Sequence, residues 1–205
     1  MESRRRAPPV IAKILDVDEN LTNKFCRWSG YFPVFRTVKR HSKSLEISCH
    51  GIPWFAGLIF FIIVTSSSSL RQIQVNLLFG LILDVIFIAV IKAYVRRRRP
   101  NKNRPDMFVT LSIDNFSFPS GHASRAALLT YFFMFLSPLP AFLIIPLIIW
   151  VTSVCISRVL LNRHYLLDVI SGIFLGYMEG ILLEYFWIGE PFANFLISWL
   201  SETYD

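Results

Sequence analysis

The chain has 205 residues, of which 54% are hydrophobic and only 17% are charged, and its formal net charge is +7. This composition excludes an ordinary soluble domain, in which about a quarter of the residues are charged. Most lysines and arginines lie before residue 41 or between Lys92 and Arg104, outside the longest apolar stretches. We therefore expect a membrane protein whose cations lie beside the bilayer.

The N-terminal region is basic. Arg4 to Arg6 are not followed by an apolar run, so residues 1–20 are predicted to be a disordered basic tail and not a cleavable signal peptide. Residues 21–44 carry apolar side chains at helical spacing, namely Leu21, Phe25, Trp28, Phe32 and Phe35. This stripe, interrupted by Gly30 and Pro33, predicts a basic amphipathic segment at the membrane interface. A cytosolic amphipathic helix packed on the bundle is the alternative.

Five apolar stretches approach the roughly 20 residues that a helix needs to cross a bilayer. They are His50 to Ser67, Ile73 to Tyr94, Gly121 to Ser137, Leu139 to Ile156 and Tyr165 to Ile188. The turn from Ser137 to Pro140 makes the third and fourth stretches antiparallel. The predicted fold class is all-α, a multi-span transmembrane bundle of five or six helices over residues 45–188. Residues 189–205 are predicted to be a tail or a short interfacial helix.

Five spans place three polar clusters on the same membrane face as the N-terminal basic segment. These clusters are Lys92 with Arg99, Ser120 to His122, and Arg158 to Asp168. Because cytoplasmic segments are enriched in lysine and arginine, this face is predicted to be cytoplasmic. We therefore expect a functional site at one membrane face, open to the cytosol.

Two histidines suggest the chemistry of that site. His164 and Asp168 are four residues apart, so on one helix they share a face and Asp168 can accept a proton from the imidazole. The other ring nitrogen then keeps a lone pair that can attack phosphorus, forming a phosphohistidine that water hydrolyses. His122 is the candidate acid for the departing oxygen. These three residues are the predicted catalytic group.

The remaining polar residues suit a phosphate. Arg99 and Arg158 have planar guanidinium groups that match phosphate oxygens, and Lys92 provides a compact charge. Ser120 and Gly121 begin a helix whose N–H groups and dipole favour an anion. Since fixed cations supply the positive charge, no metal ion or other cofactor is expected.

Each cluster also has a purely structural interpretation. Arg96 to Arg98 fit a run of cations at a helix end, Pro119 to Gly121 fit a helix cap, and His164 with Asp168 fit a hydrogen-bonded pair. A catalytic site is favoured because three separate clusters coincide at one predicted face.

Three further charged residues have alternative interpretations. Arg125 lies one turn beyond His122, so it is a candidate for contact with the second phosphate of a diphosphate, the alternative being a simple interfacial charge. Asp84 and Glu179 lie near the middle of predicted spans, where ionisable groups tend to face a partner or a cavity. They are either structural groups or parts of a polar path.

Three stretches resemble a known family. KAYVRRRRP (Lys92 to Pro100), PSGH (Pro119 to His122) and SRVLLNRHYLLD (Ser157 to Asp168) match the three signature motifs of the type 2 phosphatidic acid phosphatase superfamily. LEISCHGIPW (Leu45 to Trp54) and DMFVTLSIDNFSFPSGHASRAAL (Asp106 to Leu128) are similar to its polyisoprenoid or presqualene diphosphate phosphatase branch.

The resemblance implies a metal-independent lipid phosphatase of the endoplasmic reticulum and nuclear envelope. Its implied substrates are farnesyl, geranylgeranyl and presqualene diphosphate and related lipid phosphates, and no nucleic-acid partner is expected. By motif position, His164 is the implied nucleophile, His122 the acid and Asp168 the orienting carboxylate. The implied phosphate-binding residues are Lys92, Arg99, Ser120, Gly121 and Arg158. A lipid-phosphate transporter or flippase that retains the binding motif is the alternative, and the oligomeric state is left open.

Overall fold

The computed structural model describes residues 8–65, 67–100 and 116–201. These residues form α1 (Pro9–Ser29), α2 (Pro33–Arg40), α3 (Ser42–Ser48), α4 (Gly51–Val64), α5 (Ser68–Val95), α6 (Gly121–Tyr131), α7 (Ala141–Leu160), α8 (Leu166–Tyr185) and α9 (Glu190–Ser201). A π-helical turn, Phe132–Leu136, extends α6. The described residues contain no β-strand beyond an isolated bridge between Arg98 and Phe116. The all-α prediction is therefore confirmed.

Parts of three predictions lie outside the described residues. They are residues 1–7 of the predicted tail, the stretch from Asp106 to Asn115 that contributes to the resemblance, and the last residues of the chain, 202–205.

The long apolar helices identify a multi-pass membrane protein. Helices α5, α7 and α8 are long and apolar enough to span a bilayer, and α3 with α4 form a fourth candidate span bent by 43°. The third predicted span, Gly121 to Ser137, contains α6, which has only eleven α-helical residues before its five-residue π-helical turn. It is short because it begins after Pro119 and ends before Pro138. All residues from Ala123 to Leu129 are buried, so α6 lies inside the bundle.

A glycine row on α8 explains how closely α6 approaches it. Gly172, Gly176 and Gly180 repeat every fourth residue, and a Cβ atom at any of them would overlap atoms of α6. Small residues at this spacing let two membrane helices pack with their backbones close together. The close packing brings the starts of the two helices together, where the Ser120 N–H donates to the Asp168 carbonyl over 3.0 Å.

The main apolar core lies between α4, α5, α6, α8 and α9. Its fully buried members include Leu81, Leu129, Phe132 and Leu183. Helix α9 adds Ala193 to this core, so the C-terminal segment packs against the bundle. The core contacts the N-terminal half of α5. Polar contacts instead lie at the C-terminal end of α5 and at the starts of α6 and α8.

The N-terminal region differs from the prediction, because α1 already begins at Pro9, within the segment expected to be a tail. Proline suits the first position of a helix, where its missing N–H has no partner to lose. The interruption expected at Gly30 and Pro33 is present, since α1 ends at Ser29 and α2 begins at Pro33. Helix α1 turns a polar face toward the bundle, with Asp18, Thr22 and Ser29 buried.

Candidate active site

The predicted polar clusters meet at one end of the bundle. Helices α5 and α7 end there, while α6 and α8 begin there. The loop before α6 contacts the loop before α8, because the imidazole Nδ1 of His164 lies 2.7 Å from the carbonyl oxygen of Ser117. The fold therefore brings together segments that are about 40 to 70 residues apart along the chain.

His164 lies in the loop between α7 and α8 and is only 3% exposed. Since the carbonyl oxygen of Ser117 can only accept a hydrogen bond, Nδ1 carries the proton and a neutral ring keeps its lone pair on Nε2. The sequence predicted Asp168 as the acceptor, but its Oδ2 atom lies 3.9 Å from Nδ1, too far for a hydrogen bond. Helix α8 starts only at Leu166, so His164 and Asp168 do not share a helical face.

Asp168 has other partners. Its Oδ2 atom accepts the N–H of Tyr165 over 2.9 Å, as in a capping box. Its Oδ1 atom lies 2.7 Å from Nη1 of Arg97. Asp168 therefore places a buried negative charge near the imidazole and anchors the start of α8, without bonding to His164.

The electrostatics keep His164 neutral near pH 7. Burial lowers the pKa of His164 well below its usual value of 6.5, and the charges of Arg99, Lys92 and Arg158 lower it further. The hydrogen bond to Ser117 acts in the opposite direction. Three of the predicted phosphate-binding residues thus act electrostatically on the candidate nucleophile, and an unprotonated imidazole is the form that can attack phosphorus.

Arg158 is 1% exposed at the end of α7. Its Nη1 atom lies 3.4 Å from the carboxylate of Glu46, and its Nε donates to Ser157 Oγ over 3.3 Å. Glu46 belongs to α3 and was not predicted as a site residue, although it lies within the stretch LEISCHGIPW. Because the carboxylate orients the guanidinium, α3 is part of the site.

His122 lies in the first turn of α6. Its Nε2 atom is buried and has no hydrogen-bond partner among the described residues. Leaving a buried polar atom unpaired costs free energy, and such atoms are rare in folded proteins. The ring of His50 lies 6.1 Å away, centroid to centroid, in an edge-on arrangement. An unpaired ring nitrogen at this position suits contact with an oxygen atom of a ligand.

Ser120 and Gly121 form the start of α6, as predicted. The Oγ atom of Ser120 accepts the N–H of Ala123 over 3.4 Å, which makes Ser120 the N-cap. A Cβ atom at Gly121 would meet Ile88 only at 3.4 Å, an ordinary contact distance. Packing within the protein therefore does not require glycine here, whereas close approach of a ligand to the backbone would favour it.

Arg125 points into the bundle. Its Nη2 atom lies 2.7 Å from Asp84, and its Nη1 donates to the carbonyl oxygen of Cys49 over 3.3 Å. Glu179 nearby accepts a hydrogen bond from Ser124 over 3.3 Å. These contacts favour the structural interpretation of Asp84 and Glu179. Contact of Arg125 with a second phosphate stays a prediction.

Ser117, Arg97 and Asp18 were not predicted as site residues. Ser117 lies two residues before the PSGH stretch, and Arg97 was assigned to the run of cations at a helix end. The available signal for Asp18 was its spacing from Thr22, which places both on one face of α1, directly beside the apolar stripe. The identity of their partners could not be read from that spacing.

The fold and the site together define a class: a multi-pass helical membrane protein whose histidines and cations meet at one end of the bundle. More specifically, the sequence matches the PAP2 superfamily over residues 74–189, more than half of the chain. The chain therefore belongs to the PAP2 superfamily. The matched region includes Lys92, His122 and His164. Assignment to the isoprenoid diphosphate branch stays a prediction.

Individual proteins agree with this assignment. The chain is 38% identical over 140 residues to "Probable lipid phosphate phosphatase beta" of Arabidopsis thaliana, and the match covers 56% of this chain and 66% of that relative, slightly less than two thirds. A solved PAP2 type phosphatidylglycerolphosphate phosphatase from Bacillus subtilis is 25% identical, with a TM-score of 0.57 and coverage of 85% of this chain and 86% of that one. Aquifex aeolicus LpxE shares the fold, with 18% identity, a TM-score of 0.59 and coverage of 80% and 94%.

Proposed function

We propose that the protein is an integral membrane lipid phosphatase that hydrolyses isoprenoid diphosphates, such as farnesyl, geranylgeranyl and presqualene diphosphate, and related lipid phosphates. The main support for this proposal is the environment of His164. Its Nδ1 bonds to the carbonyl oxygen of Ser117, so Nε2 is unprotonated, and the charges of Lys92, Arg99 and Arg158 act on the ring. Membership of the PAP2 superfamily and the similarity to the Arabidopsis lipid phosphate phosphatase support lipid phosphates as the substrate class.

In the first step, Nε2 of His164 attacks the terminal phosphorus. A P–N bond forms and the P–O bond to the leaving group breaks, so that the leaving group is a lipid alcohol or, from a diphosphate, a lipid monophosphate. His122 gives its proton to the departing oxygen. The substrate's negative charge favours the protonated form of His122 before this step.

In the second step, water attacks the phosphohistidine. His122, now unprotonated, takes a proton from that water, the P–N bond breaks, and inorganic phosphate leaves with His164 restored. Lys92, Arg99 and Arg158 stabilise the charge on the transferring oxygens in both steps. Because these fixed cations provide that stabilisation, the proposed reaction requires no metal ion.

We also propose the position of the protein in the cell. Residues 45–188 form the membrane domain, and the site faces the cytosol from the endoplasmic reticulum or nuclear envelope. The N-terminal segment lies on the membrane surface, and the exposed apolar side chains of Val10, Ile14 and Val17 on α1 support this placement.

The transporter alternative would need a polar path across the membrane. Asp84 forms an ion pair with Arg125 inside the bundle, so this carboxylate gives no support to such a path.

The test is phosphate release by the purified full-length protein in detergent. Farnesyl, geranylgeranyl and presqualene diphosphate, phosphatidic acid and a sphingoid phosphate are each supplied with EDTA, and His164→Ala is the control. We expect release with EDTA present, isoprenoid diphosphates preferred, and an acid-labile phosphorylated intermediate that His164→Ala lacks. Full turnover by that variant contradicts the nucleophile, and loss of activity with EDTA contradicts metal independence.

A further inference from the structure

The start of α8 is held by α1. The first N–H groups of a helix have no partner within that helix. Here the Leu166 N–H donates to Thr22 Oγ1 over 3.1 Å, and the Leu167 N–H donates to Asp18 Oδ1 over 3.0 Å. Such caps normally come from residues adjacent to the helix, whereas these acceptors lie 144 and 149 residues earlier in the chain. Helix α1 therefore anchors the helix that directly follows the loop of His164.

The side chain of Arg97 joins the same two helices. Its Nη2 atom lies 2.7 Å from Oδ2 of Asp18, and its Nη1 atom lies 2.7 Å from Oδ1 of Asp168. The guanidinium also stacks on the ring of Tyr165, 4.0 Å from its centre. The three charged side chains are at most 10% exposed. Charge-assisted hydrogen bonds of this length are strong and directional, so the network constrains Asp168 tightly.

The backbone of Arg97 constrains His164 by a second route. Its carbonyl oxygen accepts the N–H of Ser117 over 2.8 Å, and the Ser117 carbonyl accepts the hydrogen bond from His164 Nδ1 over 2.7 Å. Asp168 Oδ2 lies 3.9 Å from the same ring nitrogen. Arg97 therefore contacts both neighbours of the imidazole, Asp168 through its side chain and Ser117 through its main chain.

Helix α1 docks on this network with its polar face. An amphipathic helix on a soluble protein buries its apolar stripe, but on α1 that stripe is exposed by half or more at Val10, Ile14, Val17, Leu21 and Trp28. The buried side chains are instead Asp18, Thr22 and Ser29. Polar contacts therefore hold α1 at the site, and Phe25 and Cys26 add apolar packing against α6, α7 and α8. The exposed part of the apolar stripe is available to lipid.

We propose that Asp18, Thr22 and Arg97 are positioning residues, which hold the start of α8 and the Ser117 carbonyl so that Nε2 of His164 faces the phosphoryl group. This inference rests on the proposed phosphatase function. The three residues act through Asp168 and Ser117 and not on the substrate. Helix α1 is accordingly part of the catalytic unit, and one helix links the membrane surface to the orientation of the nucleophile.

The experiment measures kcat and KM for farnesyl diphosphate with the full chain in detergent. We expect Asp18→Asn, Thr22→Val and Arg97→Lys each to lower kcat about 10- to 100-fold, because small displacements of a reacting group have effects of that size. KM should change by less than about threefold, since substrate contacts are retained. The matched controls, Asp16→Asn and Arg98→Lys, alter exposed side chains nearby and should keep the original kcat. Thr22→Ser retains the hydroxyl and should restore most of the rate lost in Thr22→Val.

A pH profile separates positioning from a general loss of stability. The titratable and charged groups that act on His164 are Lys92, Arg99, Arg158, Asp168 and His122. Arg97→Gln removes the cation that neutralises Asp168, so the carboxylate should favour a protonated imidazole. The acidic limb of kcat/KM should therefore move to higher pH in this variant. A variant that merely unfolds lowers the amount of active protein and leaves the limb in place.

The outcomes also separate this inference from the proposed function. If His164→Ala is inactive but the variants of Asp18, Thr22 and Arg97 keep the original kcat, the positioning role is overturned and the phosphatase function stands. Equal losses in Asp16→Asn and Asp18→Asn, or an acidic limb that Arg97→Gln does not move, also overturn it. If His164→Ala retains full turnover, the proposed mechanism itself fails.

Discussion

Two arginine–aspartate pairs with the same 2.7 Å separation lie in different regions of the molecule. Arg97 bonds to Asp168 at the end of the bundle, where α8 begins and His164 is adjacent. Arg125 bonds to Asp84 between α5 and α6, within the bundle. Both carboxylates are completely buried. The chemistry of the two pairs is alike, so their surroundings must account for any difference in their roles.

The surroundings differ in what each pair can reach. The Arg97 pair continues to Asp18, Tyr165 and Ser117, and it ends at a histidine with an available lone pair. The Arg125 pair bonds to the carbonyl of Cys49, and its charges act on Lys92 and His122, but it has no hydrogen-bonded connection to His164 among the described contacts. We therefore expect disruption at the bundle end to reduce catalysis mainly, and disruption inside the bundle to reduce stability mainly. Four predictions test this contrast.

The largest effect is expected at the bundle end itself. His164→Ala should lower phosphate release at least about 1000-fold, because covalent catalysis is lost when the nucleophile is removed. The apparent melting temperature in detergent should stay close to that of the original protein. The control is His41→Ala, which changes an exposed histidine on the N-terminal segment and should leave activity intact. A similar loss in both variants would contradict a specific role for His164.

Inside the bundle, Arg125→Gln or Asp84→Asn should destabilise the protein by about 3 to 5 kcal/mol, because each leaves a buried charge without its partner. The double variant should recover part of this loss. Thermal unfolding in detergent measures both. Equal residual activity of Arg125→Gln on mono- and diphosphate lipids removes the second-phosphate role. A selective loss on diphosphates, with normal stability, would instead support that role and break the contrast between the two pairs.

A smaller effect is expected from the packing of α6 on α8. Gly176→Ala should destabilise the protein by about 1 to 3 kcal/mol, because the added methyl group overlaps the backbone of α6 at Ser124. Gly57→Ala is a matched control, since a Cβ atom there meets nothing within 4 Å. The apparent melting temperatures of the two variants give the comparison. If Gly57→Ala is the more destabilised variant, the packing explanation is wrong.

The smallest effect is a displacement of a pH limb. Since burial and three cations hold the pKa of His164 below 6.5, the ring stays unprotonated as pH falls through 6.5. Activity is lost only at lower pH, so the acidic limb of kcat/KM should lie below pH 6.5. Lys92→Gln should move this limb to higher pH, because one cation near the ring is removed. A limb that arises from ionisation of the substrate would not move.

Much of the architecture was predictable because it depends on local patterns. The apolar stretches located α4 to α8 within a few residues, since burial in lipid or in a bundle demands long apolar runs. The break at Gly30 and Pro33 was also correct. The early start of α1 at Pro9 was not predicted, because the segment lacks a continuous apolar run and its buried face is polar.

Sequence patterns could select candidate residues for the site, but they could not give the hydrogen bonds between them. Residue type and spacing selected Lys92, Arg99, Arg158 and the two histidines, and in the structure the charges of the three cations act on His164. The acceptor for the His164 proton was assigned to Asp168 because four-residue spacing suggested a shared helical face. Helix α8 begins too late for that arrangement, and Ser117 is the acceptor instead.

By itself, the sequence determined that this is a helical membrane protein and which polar side chains are candidates for phosphate chemistry, because hydropathy and motif spacing are properties of continuous stretches. Only the tertiary structure decided that α1 caps α8, that Arg97 bridges Asp18 and Asp168, and that Arg125 pairs with Asp84. These partners lie between about 40 and 150 residues apart. Hydrogen bonds over such separations depend on how helices pack, and no local pattern specifies that packing.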